Sequence, residues 1–458
     1  MLYLLLAGSL ILMIVNFLLG GCDFLYPSFI FCLVFSAAEF VCVLGKNTYE
    51  IVLHPETVLT ILCGEIVFTL VAYVSGLRRK KKNYRVEPLP IEKIYVNKIL
   101  IVGTVILQLL AIIFFIKYLK NISMAYDGNA RSLTELISLY DIMTKFWTDI
   151  FNQLSVPVPM IYRIANPIVS AAAYLSIYIV VNNYVATKKI EIPYLVIIFL
   201  QCILIILNGS RSPLFRVLTM IIMLLYIMLY WRGKIKKGDI RLFFKLAGLV
   251  IGAALFFIVL LNIMGRSGKG AEKVMHYLFV YVGAPIVNLD NFIIDRMPSI
   301  TTSLFGEQTF RSLYNYVGKL FHISQFSYGG VNPFVFSSNG IEIGNVFTTF
   351  YSYLYDFRFA GVAPLTALVA VYYVFTYRGL TRYQKNKNKI NLQLYFYAYL
   401  FNDLIMQSFS SRFYETVLDA PFIKLFILSI AIDFIFIEHR IKIGKYFIKI
   451  PKLVGKHI

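Results

Sequence analysis

Apolar runs of about 16–20 residues recur from one end of the chain to the other. Each is close to the roughly 20 residues that an α-helix needs to cross the hydrocarbon core of a bilayer. A helix apolar on every side has no solvated face left, so ordinary soluble folds cannot house many of them. Composition agrees: 59% of the 458 residues are hydrophobic and 15% charged, where a soluble domain carries about 25% charged residues. Soluble enzymes, nucleic-acid binders and outer-membrane barrels are excluded. The expectation is an all-α polytopic membrane protein, residues 1–458 forming one integral membrane domain. Eleven spans can be read, at 2–19, 25–44, 58–75, 99–116, 168–185, 192–207, 214–230, 246–264, 362–377, 392–406 and 422–437. No cation precedes the first run, Lys46 being the first in the chain, so this run reads as a span and not as a cleaved signal peptide.

The net charge of +20 divides sharply by loop. Segments 76–98, 186–191, 231–245, 378–391 and 438–458 hold 27 of the 44 Lys and Arg against five acids, and the remaining sequence is close to neutral. That is the positive-inside pattern. It places these segments in the cytoplasm, with an external amino terminus and a cytoplasmic carboxyl terminus. The first hairpin is assigned by alternation alone, since its Gly20-Gly21-Cys22-Asp23 turn carries no cation. The basic runs read as solvated anchors to anionic lipid head groups. Five cysteines, Cys22, Cys32, Cys42, Cys63 and Cys202, lie in or beside spans without a CxxC pair, so no disulfide framework or cysteine metal site is expected.

The opposite face receives the two long connections, 117–167 and 265–361, and loops of that length usually serve a function. In the first, Ser132-Leu133-Thr134-Glu135 has the pattern of a capping box. It opens an amphipathic helix with Leu133, Leu136, Ile137, Tyr140, Met143 and Trp147 on one side and Thr134, Glu135, Ser138, Asp141 and Lys145 on the other. Such a helix covers the outer end of the bundle at the interface. In the second, 274–287 is apolar but too short to span and is interrupted by Pro285. Residues 301–344 are rich in Ser, Thr, Asn, Gly, Phe and Tyr. Aromatic faces beside hydroxyl and amide groups suit a sugar, whose ring has an apolar face and a polar rim.

Arginine is unevenly placed. Arg211, Arg216, Arg266, Arg296, Arg311, Arg358 and Arg412 fall outside or near the outer boundary. A guanidinium fork grips phosphate or pyrophosphate bidentately, whereas a single arginine at that depth often snorkels to lipid phosphate. Taken together the group favours a pyrophosphate site, with Arg211, Arg266, Arg311 and Arg412 its expected members. HExxH and GxSxG motifs are absent, and no carboxylates cluster at metal-ligand spacing, so neither metal nor cofactor is expected. The external loop 45–57 carries only Glu50 and Glu56 as acids. Acids within spans are few, namely Glu39, Glu65, Asp403 and Asp433, which argues against an ion-coupled transporter.

The sequence resembles the bacterial oligosaccharide repeat-unit polymerases, the Wzy-type O-antigen and capsule polymerases. Three features carry the resemblance: the turn Asn208-Gly209-Ser210-Arg211-Ser212-Pro213 before a span and a basic loop, the long late external loop, and the stretch from Asn345-Val346-Phe347-Thr348-Thr349-Phe350-Tyr351 through Tyr355-Asp356-Phe357 to Gly361. The resemblance implies about twelve spans in a bacterial cytoplasmic membrane. It implies a metal-independent inverting glycosyltransferase that moves a glycan from undecaprenyl pyrophosphate to the sugar of another lipid-linked repeat on the extracytoplasmic face. Membrane lipids, a chain-length regulator and a flippase are its expected partners, and nucleic acid is not. The acceptor hydroxyl needs a base. Candidates are His322, Glu307, Asp356 and Glu342, with His322 ranked first because its ordinary pKa of about 6.5 lies nearest working pH. A lipid-linked oligosaccharide flippase and an O-antigen ligase are the alternatives.

Overall fold

The computed structural model describes residues 1–77, 90–130, 132–210, 212–236, 239, 248, 271–300, 302–326, 332–382, 389–438, 440–443 and 446–449. The protein is a helical membrane protein. Among the described residues nine helices are long and apolar enough to cross a bilayer. Eight of them coincide with spans read from the sequence: α1 (Leu2–Leu19), α2 (Pro27–Gly45), α3 (Pro55–Leu77), α4 (Lys98–Tyr126), α7 (Met160–Thr187), α9 (Ser212–Trp231), the continuous helix 350–381 and the terminal helix 420–437. The short α8 (Ile192–Leu207) begins and ends where its apolar run does. Apart from residue 248, the span read at 246–264 lies outside the described residues.

Local chemistry sets many of the ends. The side chain of Asn97 accepts from the Ile99 amide to start α4, and Pro stands in the first turn of α2 and α8, where its missing N–H costs nothing. Between α4 and α7 lie α5 (Leu133–Lys145) and α6 (Thr148–Gln153). The capping box is present in full: Ser132 Oγ accepts from Glu135 N, and Glu135 Oε2 from Ser132 N, both at 3.2 Å. The α5 helix packs on α4 through Leu136, Ile137 and Met143. One residue departs from the expected helical wheel. Asp141, assigned to the polar side, is buried against the Gly209 turn and paired with Lys145, because that turn covers the flank of α5.

The second long connection differs more. Residues 271–299 form one helical run, α10, in which a π-turn at Phe279–Gly283 precedes Ala284–Asn291, a second π-turn at Phe292–Arg296 and a 3-10 turn at Met297–Ser299. Pro285 therefore does not interrupt it. The proline falls in the first turn after the π-turn, where the ladder already lacks a regular bond and the ring displaces little. Length and composition would let residues 275–299 span, but their partners say otherwise. His276 meets Tyr49, Gly283 meets Cys42, and Asp290 meets His54 and Thr57. Fourteen residues of helix advance about 21 Å, yet the partners stay within the adjoining ends of α2 and α3. The α10 run lies across that end of the bundle.

After α10 come α11 (Arg311–Phe321) and a short antiparallel pair, β1 (Val335–Phe336) and β2 (Glu342–Gly344). Then α12 (Phe350–Phe357) leads through a 3-10 turn into α13 (Val362–Thr381), followed by α14 (Leu392–Ile405), α15 (Arg412–Val417) and α16 (Ala420–Ile432). A second hairpin pairs Arg440–Ile443 with Tyr446–Lys449. The α14 helix is the most enclosed, with Tyr395, Tyr397, Ala398, Phe401 and Asp403 all buried.

The bundle has two chemically distinct ends. At one, the basic segments meet: Lys93 pairs with Glu191 at 2.5 Å, Asn183 exchanges two hydrogen bonds with the Ile94 backbone, Trp231 donates to Leu380 O, and Arg378 donates to Tyr26 Oη and Ala72 O. The cation-free first hairpin belongs here too. Asp23 accepts from Tyr226 Oη at 2.6 Å and Tyr377 Oη at 2.7 Å, which ties the turn to the basic end. The other end carries α5, α6, α10, α11 and both long connections.

Candidate functional site

At the end opposite the basic segments, α10 forms the floor of a cavity of about 160 Å³. Asn288, Asn291, Phe292, Asp295 and Arg296 recur every three or four residues along one face of the helix. They face Phe334, Val335, Phe336 and Phe347. The β1–β2 hairpin supplies part of this wall, held by Ser337 N donating to Ile341 O at 2.9 Å and by Asn339 Nδ2 donating to Thr48 O at 2.8 Å. Asn288 Nδ2 donates to Val346 O at 2.8 Å, fixing α10 to the stretch that leads into α12. Behind the cavity Phe292 meets Phe347, Tyr351 and Tyr355, with Phe347 stacked on Tyr351 at 4.4 Å. The lining thus combines aromatic faces, two amides, a carboxylate and a guanidinium, a set able to cover the apolar face of a sugar and hydrogen-bond its rim.

Other arginines have other duties. Arg216, grouped from sequence with the outer arginines, is buried and held by Asp403. Arg358 donates to Ile300 O at 2.7 Å, tying the α12–α13 junction to the end of α10. Arg412 pairs with Glu415 at 3.3 Å, both partly exposed. Arg311 opens α11. Arg296 lines the cavity, and Arg311 is not among its lining residues. Arg211 and Arg266 lie outside the described residues.

Of the acid–base candidates, Glu307 and Asp356 come together and His322 does not join them. Asp356 accepts from Gln308 N at 3.0 Å and Thr309 N at 2.6 Å. Glu307 Oε2 accepts from Ser303 N, Ser303 Oγ and Leu304 N. Both carboxylates hold the loop before α11 by its backbone amides. His322 is exposed at the far end of α11, a left-handed C-cap at φ 54°, so the 11 residues of that helix put about 16 Å between it and the Asp356 region. Glu342 is exposed on β2.

The histidine that sequence reasoning passed over is His54. Its Nδ1 lies 2.8 Å from Asp290 Oδ2, its backbone N donates to Asp290 Oδ1 at 2.9 Å, and Thr57 Oγ1 donates to Oδ1 at 2.5 Å. The Asp290 side chain is 2% exposed and the imidazole 47%. The hydrogen bond to Asp290, reinforced by its charge, raises the His54 pKa above the ordinary histidine value, with smaller contributions from Glu56 and Asp295. Pro55 favours an extended His54, which projects the residue from the start of α3. In sequence His54 is a lone histidine in a short loop, and its partner is 236 residues away. Only the proline beside it hinted at a fixed position. No group of three or more His, Cys, Asp or Glu residues among the described residues could hold a metal ion. No family model, curated protein or solved structure matches the chain.

Proposed function

We propose that the protein polymerises lipid-linked oligosaccharide repeat units, moving a glycan from undecaprenyl pyrophosphate onto the sugar of another lipid-linked repeat during surface-polysaccharide synthesis. The observation that carries this reading is the aromatic and amide-lined cavity beside Arg296 at the end opposite the basic segments. By the positive-inside pattern that end faces away from the cytoplasm, which in a bacterial cytoplasmic membrane is where assembled lipid-linked repeats are presented. The reaction breaks the bond from the anomeric carbon to the pyrophosphate oxygen and forms one to the acceptor oxygen. The leaving pyrophosphate gains charge, and fixed arginines stabilise such charge without reorganising. Arg296 lines the cavity, and Arg211, Arg266 and Arg311 are its expected companions from the sequence. Membrane-anchored substrates need no nucleotide pocket, and the reaction proceeds without a metal ion. A chain-length regulator and a flippase are the partners such a reaction calls for.

A flippase would need cations within the bundle to carry pyrophosphate across. Two buried or half-buried arginines on spans are already engaged, Arg216 by Asp403 and Arg378 by Tyr26 and Ala72 O. This favours chemistry at the end of the bundle over passage through it. Deletion of the gene separates the readings on a gel of surface glycan: loss of the ladder with one repeat retained supports the polymerase, and loss of all glycan supports the flippase.

A further inference from the structure

Asp290 gives both oxygens to the segment that opens α3, and a carboxylate at a helix start is stabilising in itself. Capping alone accounts for the bonds from His54 N and Thr57 Oγ1. It does not account for the imidazole. An ionised carboxylate only accepts, so the nitrogen facing Asp290 carries the proton and the basic lone pair sits on Nε2. Among the described residues Nε2 has no hydrogen-bond partner. The charged groups around the ring are Asp290, Glu56 and Asp295, and Asp295 also lines the sugar-suited cavity next to Arg296. A buried carboxylate on the helix that floors the cavity, orienting a half-exposed imidazole, is the arrangement by which proteins make a directed base. Asp356 gives both oxygens to backbone amides and Glu307 holds its loop through Oε2, and among the described residues His322 stands at a helix end without such a carboxylate.

Resting on the polymerase reading, we propose that His54 is the general base of the glycosyl transfer and Asp290 the residue that positions it. Nε2 takes the proton of the acceptor hydroxyl as that oxygen bonds to the anomeric carbon. The carbon–oxygen bond to pyrophosphate breaks, its electron pair leaves with the pyrophosphate, and the imidazolium later returns its proton to water.

The test uses the full chain in proteoliposomes with synthetic lipid-pyrophosphate repeat units, comparing wild type, His54→Ala, Asp290→Asn and His322→Ala. His54→Ala should lower kcat by about 100-fold or more, the usual contribution of a general base, with KM little changed. Asp290→Asn should move the acid limb of the pH–rate profile to lower pH, an effect that loss of a helix cap alone would not produce. His322→Ala should stay near wild type. Carbon-13 NMR of labelled histidine should show the His54 pKa above about 6.5 in wild type and lower in Asp290→Asn, whatever the activity. Wild-type kcat in His54→Ala, or an unmoved acid limb and pKa in Asp290→Asn, overturns the assignment while leaving the polymerase reading standing. A wild-type protein that extends no chain removes that reading, and the base with it.

Discussion

Arg216 and Asp403 form a two-pronged ion pair inside the bundle, NH1 to Oδ2 at 3.2 Å and NH2 to Oδ1 at 2.8 Å. Thr416 Oγ1 accepts from the same guanidinium at 3.3 Å, and the Tyr399 ring stacks over it at 4.5 Å. The pair therefore joins α9, α14 and α15 at one point. Two ions withdrawn from water are costly together and costlier apart. Asp403→Ala should destabilise the protein by about 3–5 kcal/mol by leaving a buried charge unpaired, while Arg216→Met with Asp403→Leu should cost far less. Thermal unfolding in detergent checks this. A double variant as unstable as the single one would contradict it.

Gly64 on α3 lies where a side chain cannot fit. A Cβ there would stand 2.3 Å from the Phe350 ring, which is fully buried between α3 and the start of α12. Overpacking of this kind typically costs about 1–3 kcal/mol. Because Phe350 follows the stretch from Asn345 to Thr349, Gly64→Ala should also disturb the wall around Phe347. Lower unfolding temperature together with weaker substrate use is expected, and a variant as stable as wild type would show that α3 and α12 have room to separate.

The His54–Asp290 contact makes a pH-dependent contribution to stability. The folded pKa of His54 is raised, so the protonated ring is favoured in the folded state. Its contribution is complete below the unfolded value of about 6.5 and is lost as pH rises through the raised folded value. Wild type should lose more unfolding temperature between pH 6 and pH 9 than His54→Gln does. Parallel slopes would mean that the imidazole does not titrate against Asp290.

Much of this architecture is legible locally, and what is not depends on distant partners. A 16-residue apolar run bounded by Glu191 and Asn208 is enough to delimit α8, and Ser132 with Glu135 is enough to start α5. Pro285 misleads because its effect depends on the π-turn before it, which no composition reveals. Asp141 misleads because the Gly209 turn that buries it belongs to another part of the chain. The site shows the same division. Phe334, Val335 and Phe336 bring the aromatic-rich segment 301–344 to the cavity, whose amides come instead from α10, whereas His54 and Arg216 find their partners Asp290 and Asp403 236 and 187 residues away.

The sidedness expected from the charge split can be tested directly. In a cysteine-free variant, Ser338→Cys stands exposed at the end that carries the cavity, and Lys189→Cys stands exposed among the basic segments. An impermeant thiol reagent on intact cells should label the first and spare the second. The reverse pattern would turn the protein over and put the cavity in the cytoplasm.

The central claim is tested most directly by supplying purified protein in proteoliposomes with synthetic undecaprenyl-pyrophosphate repeat units in excess EDTA. The account predicts a ladder of products lengthened by whole repeats, with one undecaprenyl pyrophosphate released for each bond formed and no requirement for magnesium. Repeat units recovered unextended, or extension that stops with chelator and resumes with magnesium, would contradict it.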